Sequence, residues 1–152
     1  QAIRKKIDLP IIAAGGIADG AGMAAAFAVG AEGIQMGTRF VSSKESPVHE
    51  NFKNYIFDSS LNGTWILNKT SKPVIRALRT EFTKEILEAG EMDMSAMGKI
   101  QDLYFGGDMN AAPALSGQSV GLIDGLKSAE EIIQDTIKEF NQTCSELGAL
   151  KL

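Results

Sequence analysis

Two short apolar runs flank an amphipathic stretch near the start of the chain. Leu9 to Ala14 and Gly33 to Met36 are largely apolar, and the first of them suits a strand buried on both faces. Between the runs, Asp19 is a good helix N-cap, apolar residues recur at helical spacing, and Gly30 can end the helix. A strand, a helix and a second strand in this order predict a βαβ unit. The two strands should therefore be parallel neighbours.

The same kind of pattern predicts further elements in the middle of the chain. Ser46-Pro47 is typical of a helix start, and this helix should run to about Phe57. Val74 to Glu88 carries apolar residues every four positions and predicts an amphipathic helix, and Ser95 to Tyr104 predicts another. Thr64 to Leu67 follows an Asn-Gly turn signal and predicts a short strand or an extended loop.

The clearest helix lies at the end of the chain. Ser128 and Glu131 form the pattern of a capping box at its start. Apolar residues then follow steps of four and three along one face: Ile133, Ile137, Phe140, Cys144 and Leu147. This spacing predicts a face packed against the rest of the protein, with Cys144 as a buried and unreactive thiol.

Composition and charge narrow the class of protein. The chain has 152 residues, 44% of them hydrophobic, and a net charge of −4, which suits one globular unit in the cytoplasm. The mild acidity gives no electrostatic reason to expect a nucleic-acid partner. No apolar run approaches the roughly 20 residues that cross a membrane, so no membrane association is expected. A single cysteine excludes an internal disulfide and a cysteine-rich metal site, and we expect no bound metal.

The first residues indicate a longer protein. Gln1 to Ile7 is predicted to form the last turns of a helix, because its cations stand where the helix dipole favours them. A natural chain seldom begins in this way, so we expect the sequence to be a piece of a larger protein.

Each of the first two predicted strands ends in a glycine turn. The first turn contains Gly15 and Gly16, and the second contains Gly37 followed by Thr38. Such a turn leaves bare backbone, and the N-terminus of the following helix adds free N–H groups and partial positive charge, which together can bind phosphate. A lone Gly-Gly turn more often serves tight packing. Two such turns on consecutive units favour one shared phosphate cradle.

The motifs around these turns resemble one enzyme family. Ile11 to Gly20, Gln35 to Phe40 and Ser46 to Lys53 look like the C-terminal half of the nitronate monooxygenase (2-nitropropane dioxygenase) family, which includes flavin-dependent enoyl-ACP reductases and some NADH:quinone reductases. The resemblance continues through Arg76 to Arg79 and from Gly107 to Leu122. Its most specific element is the Gly-Thr-Arg-Phe segment with its Ser-Pro-x-His continuation, since other flavin barrels share the Gly-Gly turn.

The resemblance implies a fold, a cofactor and a division of the chain. The fold would be α/β, the C-terminal portion of a TIM (β/α)₈ barrel with an additional helical segment, and the barrel would hold FMN. Residues 1–57 would supply the last two βα units of the barrel with their phosphate-binding loops. Residues 58–113 would be a helical covering segment, and residues 114–152 a return loop with the C-terminal helix.

Carried over by position, the resemblance also assigns the residues that would hold the flavin phosphate. They form two walls, one for each glycine turn: Ala14, Gly15 and Gly16 in the first, and Met36, Gly37, Thr38 and Arg39 in the second. Two interpretations of Arg39 stay open, because its charge could face the phosphate or could hold the loop through a carboxylate. Gln118 and Ser119 lie on a loop that in relatives approaches the flavin side of the barrel.

The implied activity is that of an FMN-dependent oxidoreductase. Nitronate monooxygenase, which oxidises alkyl nitronates with O₂, is the first choice, and NAD(P)H-dependent reduction of an enoyl-ACP or a quinone is the alternative. The partner would be a small-molecule substrate, and a homodimer stays open. A phosphate-binding barrel without flavin, or a binding domain, is the alternative from another class. No catalytic residue is assigned, because the groups around the flavin ring would precede this sequence, and the chain alone is expected to be inactive.

Three other residues have both a functional and a structural interpretation. His49 is the only histidine, and we expect it to form a hydrogen bond at a helix start rather than to act as a catalytic base. Trp65 and Tyr104 could stack on a flavin or a substrate, but we expect ordinary packing.

Overall fold

The computed structural model describes residues 1–150, which form two separate two-stranded sheets and the helices around them. The strands are β1 (Ile12–Ala14), β2 (Gly33–Gln35), β3 (Thr64–Leu67) and β4 (Ile75–Leu78). The helices are α1 (Gly20–Ala28), α2 (Thr38–Val41), α3 (Glu50–Phe57), α4 (Glu81–Ala89), α5 (Ile100–Tyr104) and α6 (Ala129–Gly148). Two 3₁₀ segments cover Met94–Lys99 and Gln118–Leu122. None of the helices in this range is both long and apolar enough to cross a membrane.

The predicted βαβ unit is confirmed. β1 and β2 pair in parallel, with Ala13 opposite Ile34. Asp19 caps α1, because its carboxylate accepts the N–H of Gly22 at 2.7 Å. Gly30 follows the end of this helix with a φ of 104°, a backbone conformation that favours glycine.

The prediction that the first strand is buried on both faces is wrong. Ile12 keeps 56% of its surface exposed, and Leu9, which precedes the strand, keeps 66%. Within residues 1–150, β1 pairs only with β2, so one edge of the strand and much of its surface lack a neighbour. The apolar run is typical of a strand buried on both faces, but residues 1–150 leave it largely exposed.

The predicted helix from Val74 to Glu88 is wrong in its first half. Ile75–Leu78 is strand β4. It pairs antiparallel with β3, the strand that follows the predicted Asn-Gly turn. On its other side, the N–H of Leu78 donates to the carbonyl of Ala114 at 2.8 Å. The helix α4 begins only after Thr80, whose side chain caps it. An apolar residue at every fourth position fits a strand as well as a helix. The hydrogen bonds on both sides of β4 favour the strand.

Two other predicted helices differ in their boundaries. The helix expected from Ser46 begins at Glu50, with His49 rather than Ser46 as its N-cap. The helix expected from Ser95 is a 3₁₀ segment, Met94–Lys99, that continues as α5. The first residues form a hydrogen-bonded turn, with the N–H of Ile7 donating to the carbonyl of Ile3 at 3.2 Å, and the expectation that they end a longer helix stays a prediction.

The main core lies between α3, the 3₁₀ segment Gln118–Leu122 and the chain that follows α5. Its buried apolar residues form one cluster: Ala18, Phe52, Ile56, Leu78, Leu103, Ala111, Ala112, Ala114, Val120 and Ile123. A smaller cluster lies between the second sheet and α4: Leu67, Ala77, Ile86 and Met92. Most of these core residues therefore come from the second half of the chain, and β1 and β2 contribute none of them.

The capping box of the last helix is confirmed, but the predicted buried face is wrong except at Phe140, whose ring packs against that of Phe27 in α1 with centroids 5.3 Å apart. The Ser128 hydroxyl accepts the N–H of Glu131 at 3.1 Å. Ile132 is the apolar residue that α6 buries, whereas Ile133 is 49% exposed and Cys144 is also exposed. α6 is fixed by its crossing with α1, where Gly20 leaves no room for a Cβ beside the α6 backbone. Because of this close approach, the buried face of α6 is displaced by one residue from the face that carries the predicted apolar residues.

Candidate functional site

The two glycine turns lie on one cleft of about 230 Å³. Both turns follow the carboxyl ends of parallel neighbouring strands, which bring them to the same edge of the sheet. The residues that line the cleft come from both turns and from a later loop: Ala14, Gly15, Gly16, Ile17, Gln35, Gly37, Thr38, Gly117 and Ser119. Met36 and Arg39 are not among these lining residues.

The glycines of the two turns present bare backbone to open space. Gly15 has a φ of 98° and Gly16 a φ of 76°, both in the left-handed region that favours glycine. No atom lies within 4 Å of the position that a Cβ would take on Gly15, Gly16 or Gly37. A side chain at any of these positions would therefore extend into space that a ligand could occupy.

The second turn leads directly into the short helix α2. The N–H groups of Phe40 and Val41 both donate to the carbonyl of Gly37 at 3.0 Å. The N–H groups of Thr38 and Arg39 come before the first intrahelical hydrogen bond, and they have no acceptor among the described residues. These two donors are therefore free to bind solvent or an anion.

A loop that we did not assign from sequence patterns forms a third wall of the cleft. The N–H of Gly117 donates to Thr38 Oγ1 at 2.8 Å, and the Ser116 hydroxyl is 3.4 Å from the same oxygen. Ser119 follows in the 3₁₀ segment and lines the cleft. The family resemblance pointed to Gln118 and Ser119, but no local pattern indicated that Gly117 would lie here, since its place depends on a contact with Thr38 almost 80 positions earlier.

Two of the N–H groups at the start of helix α1, which we expected to be free, already have acceptors. The N–H of Gly22 donates to Asp19, and the N–H of Gly20 donates to Glu139 Oε2 at 2.9 Å. Two carboxylates thus already occupy the positive end of the helix dipole. Any anion in the cleft would be held by the turns themselves and by hydroxyl groups.

Arg39 lies in a different environment from the rest of the predicted cradle. It is only 5% exposed, and its Nη1 donates to the carbonyl of Gly125 at 3.1 Å. It lines a second cavity of about 220 Å³ together with Asp124 and Asp135, although no carboxylate among the described residues comes within 4 Å of it. Burial lowers the pKa of Arg39, and the charges of Asp124 and Asp135 oppose that shift. The guanidinium therefore holds the loop at Gly125 through a backbone carbonyl.

The residues present in the cleft fit the phosphate end of a flavin nucleotide. Among residues 1–150 no carboxylate lines the cleft, and the polar groups that do are glycine backbone, an amide and two hydroxyls. Its volume of about 230 Å³ is below the range of roughly 300–1,000 Å³ that encloses a whole drug-sized ligand. The cleft can therefore hold a phosphate group, whereas a flavin ring would have to lie outside it.

His49 takes the structural role that we expected. Its ring Nδ1 accepts the backbone N–H of Asn51 at 3.1 Å, which caps α3. The backbone N–H of His49 donates to the carbonyl of Tyr104 at 2.7 Å. Gly107 packs directly against the imidazole ring and has no space for a side chain. His49 does not line the cleft.

The two aromatic candidates also pack against the protein rather than in the cleft. The Arg79 guanidinium lies 5.2 Å from the ring centroid of Trp65, a cation–π contact. The ring of Tyr104 lies 5.0 Å from that of Phe52 in the main core. Burial raises the pKa of the Tyr104 hydroxyl, and a hydrogen bond to the backbone of Leu115 partly opposes the shift.

The fold and the cleft place the chain among α/β proteins with a candidate anion site at the ends of parallel strands. The sequence pattern that defines the nitronate monooxygenase family matches residues 1–139. The chain therefore belongs to the nitronate monooxygenase family.

Individual relatives agree with this assignment. FabK from Thermotoga maritima shares 41% sequence identity and a TM-score of 0.89, over 97% of this chain and 49% of that one. A probable nitronate monooxygenase of Staphylococcus saprophyticus is 31% identical over 90% of this chain and 40% of its own length. The (3aS,4S,5R,7aS)-5-hydroxy-7a-methyl-1-oxo-octahydro-1H-indene-4-carboxyl-CoA dehydrogenase of Rhodococcus jostii is 29% identical, over 95% of this chain and 54% of its own length. The chain thus spans about half the length of these relatives.

Proposed function

We propose that this chain forms the phosphate-binding part of an FMN-dependent oxidoreductase, built as the C-terminal portion of a TIM barrel. The observation that carries the proposal is the meeting of two glycine turns in one cleft, to which the described residues contribute no carboxylate. Family membership supports the same conclusion independently.

The residues of the cradle would have distinct roles. Gly15, Gly16 and Gly37 let the phosphate oxygens approach the backbone, which a Cβ would prevent. The hydroxyl of Thr38 accepts the N–H of Gly117, so its own proton remains available for donation to an anion. Ala14 and Met36 would complete the walls through their backbone.

Arg39 would support this cradle without touching the phosphate. Its guanidinium bonds to Gly125, and its backbone N–H lies in the free first turn of α2. We infer that its guanidinium holds the loop at Gly125, which follows the cleft-lining residues Gly117 and Ser119 in sequence.

Bound FMN would supply the electron-transfer chemistry, while the protein binds and orients it. Alkyl nitronates, oxidised with O₂, are the first candidate substrates, because the family takes its name from this reaction. The substrate is proposed to be a small molecule, and a homodimer remains a candidate assembly.

A second candidate is NAD(P)H-dependent reduction of an enoyl-ACP or a quinone. FabK, an enoyl-ACP reductase, shares 41% identity with this chain, compared with 31% for the probable nitronate monooxygenase. NAD(P)H would then be the electron donor. Nitronate-dependent O₂ uptake and NAD(P)H oxidation, measured on a flavin-loaded protein that carries this chain, would distinguish the two candidates.

The cradle is tested by a substitution that places a side chain in the cleft without straining the backbone. Gly37 has a φ of −95°, which other residues adopt, and open space in front of it, so Gly37→Val should fold. The valine side chain would extend into the cleft, and we expect FMN affinity to fall about tenfold or more. The measurement is a titration of FMN fluorescence against the protein.

Gly98→Val is the matched control for this variant. Gly98 also has open space at its Cβ position, but it lies in the 3₁₀ segment Met94–Lys99, outside the cleft. The control should bind FMN as the wild type does. Unchanged FMN affinity in Gly37→Val would show that the cradle assignment is wrong, and wild-type protein that binds inorganic phosphate but not FMN would favour a phosphate-binding protein without flavin.

The chain alone is expected to lack activity even with FMN added. The chain spans about half the length of its relatives, and the groups around the flavin ring are proposed to lie in the part that it does not cover. Substantial oxidation of nitronate or NAD(P)H by residues 1–152 with FMN would contradict this expectation.

A further inference from the structure

A further pocket, of about 320 Å³, lies beside the loop that joins α3 to β3. Its lining residues come from the end of α3, from this loop and from the end of β4: Tyr55, Asp58, Ser59, Ser60, Gly63 and Arg79. None of them lines the cleft between the glycine turns. The volume of this pocket falls within the range of roughly 300–1,000 Å³ that is typical of small-molecule sites.

Hydrogen bonds hold the walls of this pocket together. The N–H of Arg79 donates to the carbonyl of Gly63 at 3.0 Å, and the Tyr55 hydroxyl donates to the carbonyl of Arg79. The Ser59 hydroxyl donates to the carbonyl of Tyr55 at 2.7 Å. Gly63 is buried and has no room for a Cβ beside Ser59. The pocket is therefore preformed, because its three segments are bonded to one another.

Arg79 presents a planar cationic surface to this pocket. Its guanidinium lies over the Trp65 ring, 5.2 Å from the ring centroid. The hydrogen bonds of Arg79 are made by its backbone, and no described carboxylate lies within 4 Å of its guanidinium. A guanidinium that rests on a tryptophan has its other face available for a planar ligand, and nucleobases stack on such planes.

Asp58 limits the charge that a ligand in this pocket can carry. Its carboxylate is exposed and forms no ion pair with another described residue. Burial and then the charge of Glu81 raise the pKa of the neighbouring Tyr55 hydroxyl, so a second carboxylate lies near the pocket. Two carboxylates and one guanidinium leave no excess positive charge to hold a phosphate. A carboxylate is instead a common acceptor for the hydroxyl groups of a ribose.

We propose that this pocket binds a purine nucleoside, with the base stacked on the Arg79 guanidinium and the ribose hydroxyls donating to the Asp58 carboxylate. The hydroxyl of Ser60 would add a polar contact, and the 5′-phosphate of a nucleotide would extend into solvent. The inference goes beyond the proposed function, because it depends neither on a flavin nor on the cleft. A free nucleotide and the adenosine end of a dinucleotide present the same chemistry to the pocket.

The first test measures the binding of AMP to the chain. Calorimetry gives the affinity, and the fluorescence of Trp65, the only tryptophan among the 152 residues, reports whether AMP binds at this pocket. AMP should change this fluorescence, because the base would stack on the guanidinium that lies over the indole. Arg79→Lys keeps the charge but not the planar surface, so its AMP affinity should fall about tenfold. Arg76→Lys, the same change on the same strand but outside the pocket, should bind AMP as the wild type does.

A second pair of variants tests the contact with the ribose. Asp58→Asn should lower AMP affinity about fivefold. Asp102→Asn, the same change at an exposed carboxylate outside the pocket, should leave AMP affinity unchanged. 2′-AMP carries its phosphate on the ribose, next to Asp58, and should bind the wild type at least about tenfold more weakly than AMP. Asp58→Asn should bind 2′-AMP more tightly than the wild type does, and the urea midpoint shows whether each variant folds.

Each outcome supports or overturns the nucleoside site. A wild-type chain that does not bind AMP overturns it, and so does wild-type AMP affinity in folded Arg79→Lys and Asp58→Asn variants. Equal wild-type affinities for AMP and 2′-AMP overturn the contact between Asp58 and the ribose. Tighter binding of NAD⁺ than of AMP would identify a dinucleotide as the ligand, and equal binding a mononucleotide. Because the two pockets share no residue, a chain that binds AMP but not FMN supports this inference while the proposed function fails.

Discussion

The two small sheets of this protein differ in what covers them. In the parallel pair, Ile12 of β1 keeps 56% of its surface exposed. In the antiparallel pair, Leu67 of β3 keeps 1%, and Ala77 and Leu78 of β4 keep none. The first sheet carries the cleft at its carboxyl ends, and the second adjoins the hydrophobic core.

The two sheets therefore contribute unequally to stability. Buried apolar surface contributes about 25 cal/mol per Å², so the free energy of folding comes mainly from the two core clusters, which include residues of β3 and β4 but none of β1 or β2. The β1–β2 pair leads into the glycine turns that line the cleft, and Ile12 of this pair stays more than half exposed.

The largest expected effect is a loss of stability in the second sheet. Leu67→Ala should lower the free energy of unfolding by about 2–5 kcal/mol, because it opens a cavity in a packed cluster. Leu9→Ala, the same change beside the first sheet, should cost less than about 0.5 kcal/mol, because Leu9 is already exposed. Urea unfolding measures both, and comparable losses would refute the unequal division of stability.

The second effect separates a binding glycine from a structural one. Gly16 and Gly90 share left-handed φ values of 76° and 79° and open space around them, but only Gly16 lines the cleft. Valine at either position should cost about 1–3 kcal/mol of stability through backbone strain. Only Gly16→Val should also abolish FMN binding, as judged by whether the purified protein is yellow. A yellow Gly16→Val protein would contradict the cradle.

The third effect concerns the loop at Gly125, which Arg39 holds and which does not line the cleft of the first sheet. Arg39→Met removes the hydrogen bond to Gly125, which should lower stability by about 1–2 kcal/mol, and FMN affinity should fall only about twofold to threefold. Arg39→Lys is the matched variant that keeps the charge. A tenfold loss of FMN affinity in Arg39→Met, diminishing at high salt, would instead show that the guanidinium faces the phosphate.

The smallest expected effect is a difference in pH dependence between the capping boxes of α6 and α4. Glu131 of α6 has its pKa lowered to about 2, mainly by the Ser128 backbone N–H and then by Lys44, whereas the box of α4 uses the neutral Thr80 and Thr83. A carboxyl group with a lowered pKa stabilises the fold above its ordinary value of 4.5, and this contribution is lost as the pH falls toward 2. Glu131→Gln keeps the hydrogen bond without the charge.

We therefore expect the stability of the wild type to fall more between pH 4.5 and pH 2 than that of Glu131→Gln. Urea unfolding across this pH range measures the difference. Parallel curves for the two proteins would show that the capping box of α6 does not contribute to the pH dependence.

Local features were predictable because their cause lies within a few residues. The N-cap at Asp19, the capping box at Ser128 and the parallel strands joined by a short helix follow from neighbouring side chains and from the short connection. The glycine turns were equally visible, since Gly15 and Gly16 adopt backbone conformations that other residues avoid. Family motifs then indicated which ligand the turns would fit.

Other features were decided only by contacts between distant parts of the chain. Ile75–Leu78 is a strand because β3 and Ala114 supply hydrogen bonds on both sides, which a four-residue apolar spacing cannot reveal. The buried face of α6 is set by its close crossing with α1 at Gly20, so Ile132 is inside and Ile133 outside. The third wall of the cleft exists because Thr38 holds Gly117, and a contact between residues so far apart in sequence leaves no periodic signal in either segment.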